Sequence, residues 1–159
     1  MSNTQNWAVV CGAIRSDLEF AITINSILDL REDGLLSGIV VSTWNHSFKD
    51  KQKLKYDLID KGIHVVEVPD LKNGENGQTY RQHRLFDAGL SVCPENSGML
   101  KLRSDKAAHR LDLFKSRLTK GIAPSGGEDP VPESKVFEGR VSVQACSMTM
   151  PFNHSDIVF

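Results

Sequence analysis

The chain has 159 residues, 40% of them hydrophobic and 25% charged, with a formal net charge of −1 at pH 7. That length suits one domain, read here as spanning 1–159, with room for a sizeable core, and the composition excludes intrinsic disorder. The near-zero charge argues against a dominant nucleic-acid footprint, though not against a local basic groove for a phosphate-bearing small molecule.

Residues 7–14 (Trp-Ala-Val-Val-Cys-Gly-Ala-Ile) form an unbroken apolar run, the pattern of a strand buried on both faces. Ser16 followed by Glu19 makes a capping box, and Phe20, Ile24, Ile27 and Leu28 recur at helical spacing up to Gly34, which stops the helix. Residues 38–43 predict a second strand ending at Trp44-Asn45-His46. A helix follows over about Asp50 to Lys61, with Leu54, Leu58 and Ile59 on its inner side and Lys and Asp on a solvated one. Residues 63–68 predict a third strand closed by Pro69, and 70–78 a loop rich in Asp, Asn and Gly.

Thr79 and Gln82 suggest a second capping box, opening a helix that carries Leu85, Phe86 and Leu90. The stretch from Gly98 to Asp105 begins as a strand with Leu100 and Leu102 on one face and ends in a charged tip. Ser104 or Asp105 reads equally as the N-cap of a further helix, marked by Ala107, Leu111, Phe114 and Leu118 and ended by Gly121. Residues 121–135, rich in Pro and Gly, read as a mobile surface loop. Strand-like segments at 136–146 and 156–159 complete the series. This alternation predicts an α/β fold: a mostly parallel, Rossmann-like sheet with helices on both faces and right-handed crossovers.

Several signatures are missing. Cys11-Gly12-Ala13-Ile14-Arg15 is not Gly-x-Gly-x-x-Gly, and there is no Gly-Lys-Ser/Thr loop, Gly-x-Ser-x-Gly elbow or His-Glu-x-x-His helix. Cys11, Cys93 and Cys146 are odd in number and widely spaced, which indicates neither a zinc site nor a disulfide framework but reduced, inert thiols. The five His share no spacing and read as surface or core residues. Residues 1–7 are polar and carry no signal-peptide pattern, and no apolar run approaches the ~18 residues of a membrane span.

What remains is a polar set that the alternation puts at one sheet edge: Arg15, Ser42 to Asn45, Arg81, Gln82, Arg103 and Asp105. Helix starts offer free N–H groups and arginines offer bidentate phosphate contacts. Asp105 suits a divalent cation, Mg²⁺ or Mn²⁺, bridging a diphosphate. Each residue has a plainer role as well: Trp44 capping the core rather than stacking on a base, Arg81 and Gln82 starting a helix, Arg103 pairing with a carboxylate.

Val40-Val41-Ser42-Thr43-Trp44, the Arg81-Gln82 pair with Ala88-Gly89-Leu90, Met99-Leu100-Lys101-Leu102-Arg103-Ser104-Asp105, and Pro151-Phe152-Asn153-His154-Ser155-Asp156 occur in that order. Together they resemble the WavE-type lipopolysaccharide synthesis proteins, bacterial glycosyltransferases of the GT-A fold, from about Val9 to Phe159. The Lys-x-Arg-Ser-Asp block is the most specific piece. The resemblance implies a nucleotide-sugar donor bound by Gly12, Arg15, Ser42, Trp44, Arg81, Gln82 and Arg103, and a glycan or lipid-linked acceptor. It implies a cytoplasmic enzyme or one peripheral to the inner membrane.

Arg103 and Asp105 would occupy the place of the Asp-x-Asp metal motif, with Arg103 replacing its first acid; Asp105 becomes the candidate metal ligand. Asp156 is the late acid offered as catalytic base, or as a residue ordering a turn. WavE-like proteins continue well past this segment, so the resemblance also allows a C-terminally incomplete, donor-binding part without enzymatic activity. A nucleotidyltransferase of similar topology is a third reading. It calls for a Gly-rich basic loop after the first strand, where this chain offers Gly12 and Arg15.

Overall fold

A computed structural model describes residues 5–71, 78–95 and 97–105. The helix, loop and strands expected beyond Asp105, and with them Asp156, lie outside the described residues. Four strands are described, β1 (Asn6–Cys11), β2 (Gly38–Trp44), β3 (His64–Val68) and β4 (Gly98–Arg103), with helices α1 (Asp17–Glu32), α2 (Gln52–Asp60) and α3 (Gln78–Leu90) between them. The strands pair in the order β3-β2-β1-β4, all parallel, with Val9 registered between Val40 and Lys101. This is the α/β, Rossmann-like sheet that the alternation predicts.

Side-chain alternation divides the two faces. Ala8 and Val10 of β1, Ile39 and Val41 of β2, and Leu100 and Leu102 of β4 pack with Phe20, Ile24, Ile27 and Leu30 of α1 and Leu58 of α2. On the opposite face Cys11, Trp44 and Val68 pack against Leu85, Phe86 and Ala88 of α3. A strand covered on both faces must be apolar throughout, and all seven residues of β2 are buried. Gly89 sets how closely α3 approaches: a Cβ there would lie 2.5 Å from Val9 Cγ1 and 3.3 Å from Ser42 Cβ. The helix can therefore rest on β1 and β2 only at a residue without a side chain.

The α1 cap forms as the spacing predicts, with the Ser16 hydroxyl accepting the Glu19 N–H at 3.3 Å, and Gly34 ends the turn beyond at φ 74°. Three expectations need correction. β1 stops at Cys11, not Ile14, because Gly12 turns the chain at φ 143°; Ile14 enters the core from the loop. Ile59 is 46% exposed, so α2 contributes Leu58, with Leu54 partly buried. Thr79 is already helical in α3 and cannot be its N-cap. Among the described residues no helix is long and apolar enough to cross a membrane.

Candidate functional site

The chain winds from β1 outward to β2 and β3, then returns to place β4 on the other side of β1. The carboxyl ends of β1 and β4 thus mark a topological switch point, where flanking loops diverge and leave a crevice. A cleft of ≈ 750 Å³ opens there. Its walls come from the loop 11–15, the end of β2 and the turn after it, the first turns of α3, and the tip of β4.

The loop after β1 is held in an uncommon way. Three of its carbonyls, those of Gly12, Ala13 and Ile14, are each bonded by a side chain from a different part of the fold. The Thr43 hydroxyl, on β2, donates to Gly12 O at 2.7 Å. The Ser104 hydroxyl, past β4, donates to Ala13 O at 2.9 Å, and Lys51 Nζ donates to Ile14 O at 3.3 Å. Thr43 and Ser47 share a further hydroxyl–hydroxyl bond of 2.7 Å. In a trans peptide the N–H lies opposite the C=O, so tying these carbonyls into the body of the protein turns the following amides the other way. Among the described residues the N–H groups of Ala13, Ile14 and Arg15 have no hydrogen-bond acceptor. Consecutive free amides in a turn form an anion-binding concavity.

Four cations line the cleft, Arg15, Lys51, Arg81 and Arg103, against two carboxylates, Asp50 and Asp105. The site is locally basic in a chain of net charge −1. Three of the cations are tethered. Lys51 pairs with Asp17. Arg81 donates to Asp70 at 2.6 Å and lies 4.9 Å over the Trp44 ring, while His46 Nδ1 stands 3.5 Å from the other Asp70 oxygen. Arg103 grips Asp105 with both ends of its fork, Nε to Oδ1 at 2.8 Å and Nη2 to Oδ2 at 2.7 Å. Arg15 is exposed, and among the described residues no hydrogen bond or salt bridge holds its side chain.

The hydrogen bonds from Arg103 hold the Asp105 carboxyl below its usual range; burial opposes this, and the charges of Arg103 and Arg15 add to the lowering. A depressed carboxyl pKa stabilises the fold above the unfolded value, 3.8, and that contribution is lost as pH falls through the lower folded value. The pair is therefore expected to stay intact from neutral pH down to about 4. An NMR titration of the Asp105 carboxyl carbon checks this, as an inflection below the usual aspartate value. At the cleft floor Cys11 is 3% exposed and its thiol donates to Leu102 O at 3.5 Å. Burial pushes that thiol up, against the charges of Lys101 and Arg103, which suits an inert thiol rather than a nucleophile.

Of the residues singled out in the sequence, Gly12, Arg15, Trp44, Arg81, Gln82, Arg103 and Asp105 line this one cleft. Ser42 does not: it is fully buried on the α3 side of the sheet, and its hydroxyl has no hydrogen-bond partner. Its neighbour Thr43, pointing the opposite way, is the hydroxyl that reaches the loop. Trp44 is only 4% exposed, packed in the core with Arg81 over its ring, so core capping describes its place better than an open stacking surface.

Lys51, Ser47 and Asp70 escaped the sequence reading; their only signal was proximity to the ends of β2 and β3. His46, read as unremarkable, also lines the cleft.

A divalent ion, implied by the GT-A resemblance, fits the described donors poorly. Each oxygen of Asp105 already accepts from Arg103, and an ion there would sit beside the charges of Arg103 and Arg15. Among the described residues no three His, Cys, Asp or Glu gather as a metal site.

No protein-family model matches the sequence, and no curated protein matches it. Among solved structures, the fold is similar to that of 4-diphosphocytidyl-2C-methyl-D-erythritol synthase from Anaerococcus prevotii, with a TM-score of 0.50 at 15% identity. The likeness covers 74% of this chain and 51% of that one, so the chain spans about half the length of the structure it matches. At this identity the likeness establishes the fold: an α/β sheet of Rossmann type.

Proposed function

We propose that the cleft binds the diphosphate of a nucleotide-sugar donor, and that the chain acts as a WavE-type glycosyltransferase of lipopolysaccharide or surface-polysaccharide synthesis, the alternative being a nucleotide-sugar-binding domain that performs no chemistry. The observation that carries the reading is the loop 12–15: three anchored carbonyls, three amides and an exposed Arg15 side chain without partners among the described residues, all lining a basic cleft. Amides and a guanidinium together match phosphate oxygens in charge and in donor geometry. Arg81 and Gln82, at the start of α3, line the same cleft and would meet the far end of the donor. The lipopolysaccharide assignment rests on the family resemblance, as does Asp156 as the acid that deprotonates the acceptor hydroxyl in an inverting transfer.

A thermal-shift panel of nucleoside diphosphates and nucleotide sugars tests the donor site. A ligand at ~100 times its dissociation constant adds about 2.7 kcal/mol of stability. The expected result is a shift with diphosphate-bearing nucleotides and none with the parent nucleosides; no shift with any nucleotide sinks the reading. Release of sugar from the responding donor then separates an enzyme from a binding domain that performs no chemistry.

A second reading, a nucleotidyltransferase, is favoured by the name of the solved structure that the fold resembles. It predicts exchange of labelled pyrophosphate into a nucleoside triphosphate in the presence of a sugar or polyol phosphate, which a glycosyltransferase does not catalyse.

A further inference from the structure

We infer that diphosphate binding in this cleft is independent of a protein-bound divalent cation, its charge being met by Arg15 and the amides of the loop 13–15, while Asp105 serves to hold Arg103. The inference rests on the donor reading above and deepens it.

A carboxylate that recruits a metal must turn at least one oxygen lone pair toward the ion. Asp105 turns both oxygens to one guanidinium, in the parallel two-bond geometry that is the strongest arrangement open to an Arg–carboxylate pair. The two residues are separated by a single position at the tip of β4, so the fork closes locally and needs no wider rearrangement. A dication on Asp105 would have to share oxygens that already accept from Arg103, and it would stand beside the positive charges of Arg103 and Arg15.

The work of a metal, neutralising adjacent phosphates, has another provider in the same cleft. Arg15 is the cleft cation that no hydrogen bond or salt bridge holds among the described residues, and the loop amides beside it have no acceptor among them. The pair at β4 then has a positioning role. Ser104, lying between its members, donates to Ala13 O through its hydroxyl and to Cys11 O through its N–H at 3.2 Å. The Arg103–Asp105 fork thus fixes the turn that carries the loop's anchor.

The test is calorimetric titration of the full chain with UDP, CDP, GDP and ADP, once in EDTA and once with Mn²⁺ in excess of nucleotide. The inference expects the tightest of these to bind with dissociation constants differing by less than fivefold between the two conditions. It also expects Arg15→Ala, a change at an exposed side chain, to weaken binding in EDTA at least tenfold. Tightening of fivefold or more by Mn²⁺ overturns metal independence while leaving the donor site standing, and loss of that tightening in Asp105→Asn would make Asp105 the ligand. An Arg15→Ala chain that binds within twofold of the parent overturns the assignment of Arg15. If none of the four nucleotides binds in either condition, the donor-site reading and this inference fall together.

Discussion

Gly12→Ala is expected to lower stability by about 2–6 kcal/mol and to abolish the nucleotide-induced thermal shift. The residue sits at φ 143°, a conformation open to glycine and strained for any residue with a Cβ, at a cost of about 1–3 kcal/mol. An added Cβ would also stand 2.5 Å from Ser104 Oγ. That hydroxyl cannot simply rotate aside, because it is bonded to Ala13 O at 2.9 Å. Moving it strips a carbonyl of its partner, worth about 1–3 kcal/mol more. The remaining route is a shift of the whole loop, which would carry the Ala13 to Arg15 amides out of register with any anion. Urea unfolding by linear extrapolation reads the first effect and the ligand panel reads the second. A variant that retains parental stability and the full nucleotide shift would show that the loop is not under the constraint described.

The sheet was legible because a strand covered on both faces has little choice of residue: Val9 and Val10, or Val40 and Val41, cannot alternate with polar residues. The same physics hid where β1 ends. Ile14 is apolar because it drops into the α1 side of the core from a loop, and a run of apolar residues does not distinguish that from one more strand position. Helix α1 is clear from its cap and stop, whereas α2 runs over Gln52–Asp60 rather than about Asp50 to Lys61, and its inner face excludes Ile59, exposed beside a buried Leu58.

The edge at which polar residues collect follows from strand–helix order alone. What order does not convey is facing. Ser42 and Thr43 are neighbours with similar side chains, yet the pleat sends one toward α3 and the other to Gly12 O. Nor does sequence separation announce that Lys51, 37 positions away, bonds Ile14 O. The anchored loop is a property of three elements converging, and no local pattern encodes it.

Thr43→Val isolates that convergence. Valine has nearly the shape of threonine, and Thr43 is fully buried, so packing is kept while the hydroxyl is lost. The substitution leaves Gly12 O without its 2.7 Å donor and removes the partner of Ser47 at 2.7 Å. Leaving a part-buried carbonyl and the buried Ser47 hydroxyl without their partner is expected to cost about 1–3 kcal/mol of stability. Ser104→Ala removes the corresponding donor to Ala13 O from the opposite side. Because both hydroxyls restrain adjacent peptides of one short loop, the two losses should not add. Once either anchor is gone the loop can relax, and the second substitution then costs less. A double-mutant cycle is expected to give a coupling of about 0.5–3 kcal/mol in stability, with nucleotide affinity falling steeply in either single variant and little further in the double. Strict additivity in both readouts would mean that the two hydroxyls serve separate parts of the fold, and the anchored loop would cease to be a unit.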